Sequence, residues 1–164
     1  MLVGKQSSKR FLICLQKTGK FVFTEWGIGK TAIVKDLCRK AYLGKKYENV
    51  VYLPVSNGLL RALADDRNLQ IQTEGIAEVK KQSDYTLGYF KLEALESGVH
   101  GKTLMVIDNL ESEQDSLFSR IVSLPFDMVI CCRNPAMRKY TNASYCINEI
   151  KNENVVRKIK EVMD

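Results

Sequence analysis

From Phe21 to Cys132 the sequence alternates short apolar runs of β type with stretches of helical periodicity. That alternation restricts the chain to a layered α/β fold with a mainly parallel sheet of about five strands and helices on both faces. Phe21-Val22-Phe23, Val50-Val51-Tyr52-Leu53, Thr103-Leu104-Met105-Val106-Ile107 and Asp127 to Cys132 have the β-branched and aromatic character of buried strands. Between them, apolar residues at Ile33/Val34, Leu37/Cys38 and Ala41/Tyr42 recur every four positions from Thr31 to a stop at Gly44. Ser56 is placed to cap a helix carrying Leu59, Leu60 and Leu63. Tyr85, Tyr89, Phe90, Leu92 and Leu95 predict a helix ending at Gly98, and Leu117, Phe118, Ile121 and Val122 predict another. Residues 65 to 83 are polar and weakly periodic. At the two ends, Phe11, Leu12 and Leu15 predict a short helix over residues 7 to 16. Ser144 to Ile147 reads as a last strand, and Val155, Val156, Ile159, Val162 and Met163 as a closing amphipathic helix.

A length of 164 residues suits a single domain, and 45% hydrophobic with 27% charged residues is ordinary for a globular fold with a real core. The longest apolar runs fall far short of the roughly 20 residues that span a bilayer. The start, Met1 to Lys5, lacks the features of a secretory signal, so no membrane contact and a cytoplasmic location are expected. Five cysteines without a CxxC pair predict reduced thiols rather than a zinc site or a disulfide framework. Cys131 and Cys132 would face opposite sides of a strand, which places one of them in the core. Asn142-Ala143-Ser144 matches a glycosylation triplet, which carries no meaning in a cytoplasmic chain. The net charge of +6 is spread along the chain, with Lys35, Arg39, Lys40, Lys45 and Lys46 its densest group. On a helix and its following turn this is ordinarily a solvated face, and DNA contact is the lesser reading. His100, in what reads as a solvated turn, is given no role.

Chemistry concentrates after the first strand, in Gly27-Ile28-Gly29-Lys30-Thr31. Glycines let backbone N–H groups turn inward around an anion, and the helix that opens there adds its N-terminal N–H groups and dipole. A lysine at this position supplies a point charge for the β and γ phosphates, and the Thr31 hydroxyl suits Mg²⁺. The full phosphate-loop pattern GxxxxGK[ST] is met except at its first glycine, where Thr24 stands. The candidate nucleotide contacts are Trp26, Gly27, Ile28, Gly29, Lys30, Thr31 and Ala32. Asp108, at the tip of Leu104 to Ile107, is where a Walker B aspartate would hold the metal, although a strand-end aspartate also suits an Asx turn with Asn109. Arg133, at the end of the next strand, has the guanidinium that matches a γ phosphate, against a surface arginine as the alternative. In parallel sheets ligands bind beyond the carboxyl ends of the strands, where all three segments would project.

Taken together, Glu25-Trp26-Gly27-Ile28-Gly29-Lys30-Thr31, Leu104 to Glu111 and Cys131-Cys132-Arg133-Asn134 resemble the NB-ARC branch of the STAND P-loop NTPases, bacterial members above all. Asn49 to Ser56 and Asp65-Asp66-Arg67 are similar to the stretch between the two Walker motifs in that family, so the likeness covers nearly the whole chain. The resemblance implies a sheet order 5-1-4-3-2 and an ATP/ADP-binding switch. Lys30 and Thr31 would hold phosphate and magnesium, Asp108 would be the Walker B aspartate and Arg133 the sensor arginine. It also implies helical, winged-helix and sensor domains, or a partner protein in their place, so the sequence reads either as a core truncated at its C-terminus or as a short standalone relative. Asn109 stands where many relatives carry a second acidic residue, and an amide cannot act as a general base. Hydrolysis is therefore expected to be slow or absent unless Glu111 or another carboxylate orients water. Two other readings share the same residues: an active ATPase of the AAA+ type, and a degenerate P-loop scaffold that binds protein or DNA without nucleotide.

Overall fold

The computed structural model describes residues 19–23, 30–111 and 117–134. Within these, four strands form one parallel sheet: β1 (Lys20–Phe23), β2 (Asn49–Pro54), β3 (Thr103–Leu110) and β4 (Asp127–Cys132), in the order β1-β4-β3-β2. Five helices accompany them: α1 (Lys30–Leu43), α2 (Leu59–Ala64), α3 (Ile76–Val79), α4 (Asp84–Ser97) and α5 (Phe118–Ser123). The terminal helix and strand expected over residues 7 to 16, 144 to 147 and 155 to 163 lie outside the described residues, as does the triplet at Asn142.

Helices cover both faces of the sheet, as the continuous apolar runs require. Leu104 and Val106 of β3, with Val129 and Cys131 of β4, pack against Val34, Leu37 and Ala41 of α1. The alternate residues, Met105 and Ile107 with Met128, Ile130 and Cys132, join Leu59, Leu60 and Leu63 of α2, Leu92 and Leu95 of α4 and Phe118 and Ile121 of α5. The adjacent cysteines are thus both buried, one in each core, because each face has its own helical layer. Cys38, Cys131 and Cys132 are thiols. Among the described residues no helix is long and apolar enough to cross a membrane.

Several local expectations change. Ser56 caps nothing: the N-cap of α2 is Gly58, at φ 93, a left-handed value that a side chain would resist. The polar segment after α2 contains the single turn of α3. Tyr42 and Tyr85, placed by periodicity on apolar faces, are 70% and 62% exposed. On α4, Leu92 and Leu95 are buried as the periodicity predicts, and Leu87, Gly88 and Lys91 complete the buried stripe. Ser83 caps this helix by accepting from the Thr86 N–H at 3.2 Å. His100 is packed rather than free in solvent, its ring edge-on to Phe126 at 5.6 Å.

Two contacts lock α4 to α2. A Cβ on Gly88 would stand 2.3 Å from the Leu60 carbonyl oxygen, so only glycine permits the two backbones to approach this closely. Lys91 is fully buried, and its ammonium donates to the carbonyls of Ala64 at 3.0 Å and Leu69 at 2.6 Å and to Asp66 Oδ1 at 2.9 Å. Three donors meet three acceptors, which is the condition under which a buried ammonium is tolerated. Gly88→Ala is expected to destabilise the fold by about 1–3 kcal/mol, the usual cost of overpacking, because the obstructing atom is backbone. Urea unfolding, with the same m-value for both proteins, checks it.

Candidate functional site at the carboxyl end of the sheet

The parallel sheet sends the carboxyl ends of all four strands to one edge, and the order β1-β4-β3-β2 sets those of β1, β4 and β3 side by side. β1 ends at Phe23 and α1 begins at Lys30. Trp26, Gly27, Ile28 and Gly29 lie outside the described residues. Thr31 is exposed in the first turn of α1, and Ala32 behind it is half-buried. Val34, Leu37 and Ala41 pack α1 on the sheet with Cys38 against the same cluster, whereas Thr31 and Lys35 are exposed.

Asp108 belongs to the same side. Along β3, Leu104 and Val106 face α1, and a period of two brings Asp108 to that face one step beyond. It is 4% exposed, one of three polar or charged residues buried among those described. Its carboxylate Oδ2 accepts a hydrogen bond from the Tyr52 hydroxyl at 2.7 Å. Its backbone carbonyl accepts from the Val55 N–H at 2.8 Å.

The strand is irregular immediately after this aspartate. Ile107 pairs with Ile130 and Leu110 with Cys132, so three steps on β3 oppose two on β4. The extra residue makes a bulge, with Asn109 exposed at φ 63. Its effect is a change of parity: Leu110 returns to the face of Met105 and Ile107, which unbroken alternation would have denied it. Asparagine is among the few non-glycine residues that adopt this conformation at low cost. In place of the alternative reading, an Asx turn of Asp108 with Asn109, the chain makes a bulge, and Asp108 Oδ2 accepts from Tyr52.

Tyr52 is the residue that sequence reading missed. It reads there only as part of an apolar strand, and its pairing with Val106, two residues before Asp108, emerges only from the register. Its ring is half-buried beside α1, with the Lys35 ammonium 5.6 Å from the ring centroid. Burial first, then the bond to Asp108, pushes its hydroxyl well above the ordinary tyrosine range, so it remains a donor at neutral pH. Burial likewise pushes the Cys38 thiol up to about 11, and the Asp108 charge adds to this. Cys38, Tyr52, Cys131 and Asp108 therefore form one electrostatic neighbourhood where α1 packs on the sheet.

Arg133 is exposed and directly follows β4, between the segment leaving β1 and Asp108 on β3. Glu111, also exposed, follows β3. The basic group on α1 is partly offset by its own acid: Asp36 pairs with Arg39 at 3.2 Å and with Lys40 at 2.5 Å. Among the described residues no group of three or more His, Cys, Asp or Glu side chains is arranged to hold a metal ion. A carboxylate and a hydroxyl are hard oxygen donors of the kind Mg²⁺ prefers, and they suit a cation whose remaining ligands are water and phosphate. In donor chemistry the Thr31 hydroxyl and the Asp108 carboxylate match such a cation.

Two outcomes are expected from this geometry. Asn109→Gly keeps the bulge, whereas Asn109→Val, forced into a left-handed conformation, costs about 1–2 kcal/mol; chemical denaturation of the two variants separates them. At pH 8, Cys38 reacts with iodoacetamide roughly tenfold to a hundredfold more slowly in the folded chain than in the urea-unfolded chain, followed by peptide-resolved mass spectrometry. In comparison with known proteins, the chain matches no protein-family model and no curated protein.

Proposed function

We propose that this chain is the nucleotide-binding core of an ATP/ADP switch of the STAND type, with little or no hydrolysis of its own. The observation that carries this reading is the strand order. It brings the carboxyl ends of β1, β4 and β3 side by side, with Asp108 on β3 and Arg133 after β4, and in the sequence Gly27-Ile28-Gly29 follows β1 and leads into Lys30-Thr31 at the start of α1. The four described strands correspond to the last four places of the order 5-1-4-3-2, and a strand at Ser144 to Ile147 beside β1 would complete it.

In this reading the glycine loop and the first turn of α1 hold the phosphates through backbone N–H groups, with Lys30 as the neutralising charge. Thr31 and Asp108 hold Mg²⁺, which supplies charge neutralisation at the phosphates when bound. Arg133 senses the terminal phosphate from the end of β4. Asn109 favours a switch over an active AAA+ motor: its side chain is an amide, which cannot act as a general base, and its left-handed backbone belongs to a bulge in β3. Switching needs a second element that contacts the two nucleotide states differently, so helical, winged-helix or partner-protein surfaces are the implied partners.

Calorimetry of ADP and ATP with Mg²⁺ tests the reading. The wild-type chain is expected to bind, and Lys30→Ala to bind at least about tenfold more weakly, since a charge-assisted contact is worth more than about 1.4 kcal/mol. Equal affinity in the two proteins, or no binding by the wild type, would point instead to a degenerate P-loop scaffold.

A further inference from the structure

We infer that Tyr52 is the positioning residue of Asp108: its hydroxyl clamps one carboxylate oxygen and thereby presents the other to the magnesium that accompanies the nucleotide. The inference rests on the nucleotide-binding reading and adds to it a residue from outside the Walker motifs. Its basis is the 2.7 Å bond from Tyr52 Oη to Asp108 Oδ2 at a site that is 4% exposed, where few waters compete for the carboxylate.

Three features fix the geometry of that bond. β2 and β3 pair in register from Asn49↔Thr103 to Pro54↔Asp108, so Tyr52 and Asp108 sit on adjacent strands of one face, offset by two residues. The Tyr52 ring packs against the core beneath α1 with Lys35 beside it, which restricts the swing of the hydroxyl. The bulge at Asn109 interrupts the register of β3 with β4 between Ile107 and Leu110, which leaves Asp108 in register with Pro54 of β2 alone and its carboxylate held by the Tyr52 hydroxyl. Hydrogen bonds to a metal-ligating carboxylate hold it in the productive rotamer, and their loss ordinarily costs 10–100-fold in metal affinity.

The test is ADP binding by calorimetry with Mg²⁺ and with EDTA, for wild type, Tyr52→Phe, Asp108→Asn and the double variant, beside their thermal midpoints. Tyr52→Phe keeps the ring and is expected to leave the EDTA affinity and the midpoint near wild type. The gain in affinity conferred by Mg²⁺ should fall by about tenfold. Asp108→Asn should abolish that gain, and adding Tyr52→Phe to it should change nothing further, because the hydroxyl acts through the carboxylate. An undiminished Mg²⁺ gain in Tyr52→Phe overturns the inference while leaving the nucleotide reading intact. Equal losses with Mg²⁺ and with EDTA overturn it in favour of a packing role. Absence of ADP binding by the wild type under both conditions overturns the nucleotide reading and this inference with it.

Discussion

The structure depends on the complete burial of β3. Leu104, Met105, Val106 and Ile107 are all at 0% exposure, so this strand has no face of its own to give to water. Four such side chains supply about 1.5–3 kcal/mol each, but only if helices cover both faces and strands pair along both edges. α1 meets one face, α2, α4 and α5 share the other, and β2 and β4 take the edges. The polar backbone of such a strand is satisfied by its neighbours, and the first place where chemistry can appear is its carboxyl end. Asp108 and the bulge that follows occupy that place.

The sheet was legible because buried parallel strands are written as unbroken apolar runs. Asp127 to Cys132 has the same limits in sequence and structure, and the other three strands differ by one to three residues at an end. Helix positions were legible too, whereas helix faces were less so. Tyr85 fits the apolar periodicity of α4 yet stands exposed, while Gly88 and Lys91 take the interior. The reason is a backbone approach to α2 and a carbonyl cage built from residues 64 and 69, both set by tertiary proximity that no local period encodes.

The same division runs through the candidate site. Asp108 and Arg133 were readable as polar tips on apolar strands, and the sheet does carry both to one edge, with Lys30 and Thr31 opening the helix next to it. The Tyr52 bond was not readable, because it joins residues 56 apart through a register that only the pairing of β2 with β3 defines. The bulge was equally hidden: Asn109 announces tolerance of a left-handed backbone, but the parity change appears only when Leu110 is found in the core beside Ile107.

The buried ammonium of Lys91 makes the chain's identity at one helical position depend on the length of a distant loop. Its three donors are matched by the carbonyls of Ala64 and Leu69 and by Asp66, all within the turn that leaves α2. An arginine at 91 would bring a planar fork to a cage arranged around a tetrahedral head, so the substitution that is mildest on a surface is disruptive here. Insertion or deletion between residues 64 and 69 would remove an acceptor and strand the charge. Loop and helix position can therefore change only together, which makes this turn a fixed-length joint in a part of the chain whose composition alone would suggest a freely variable connection.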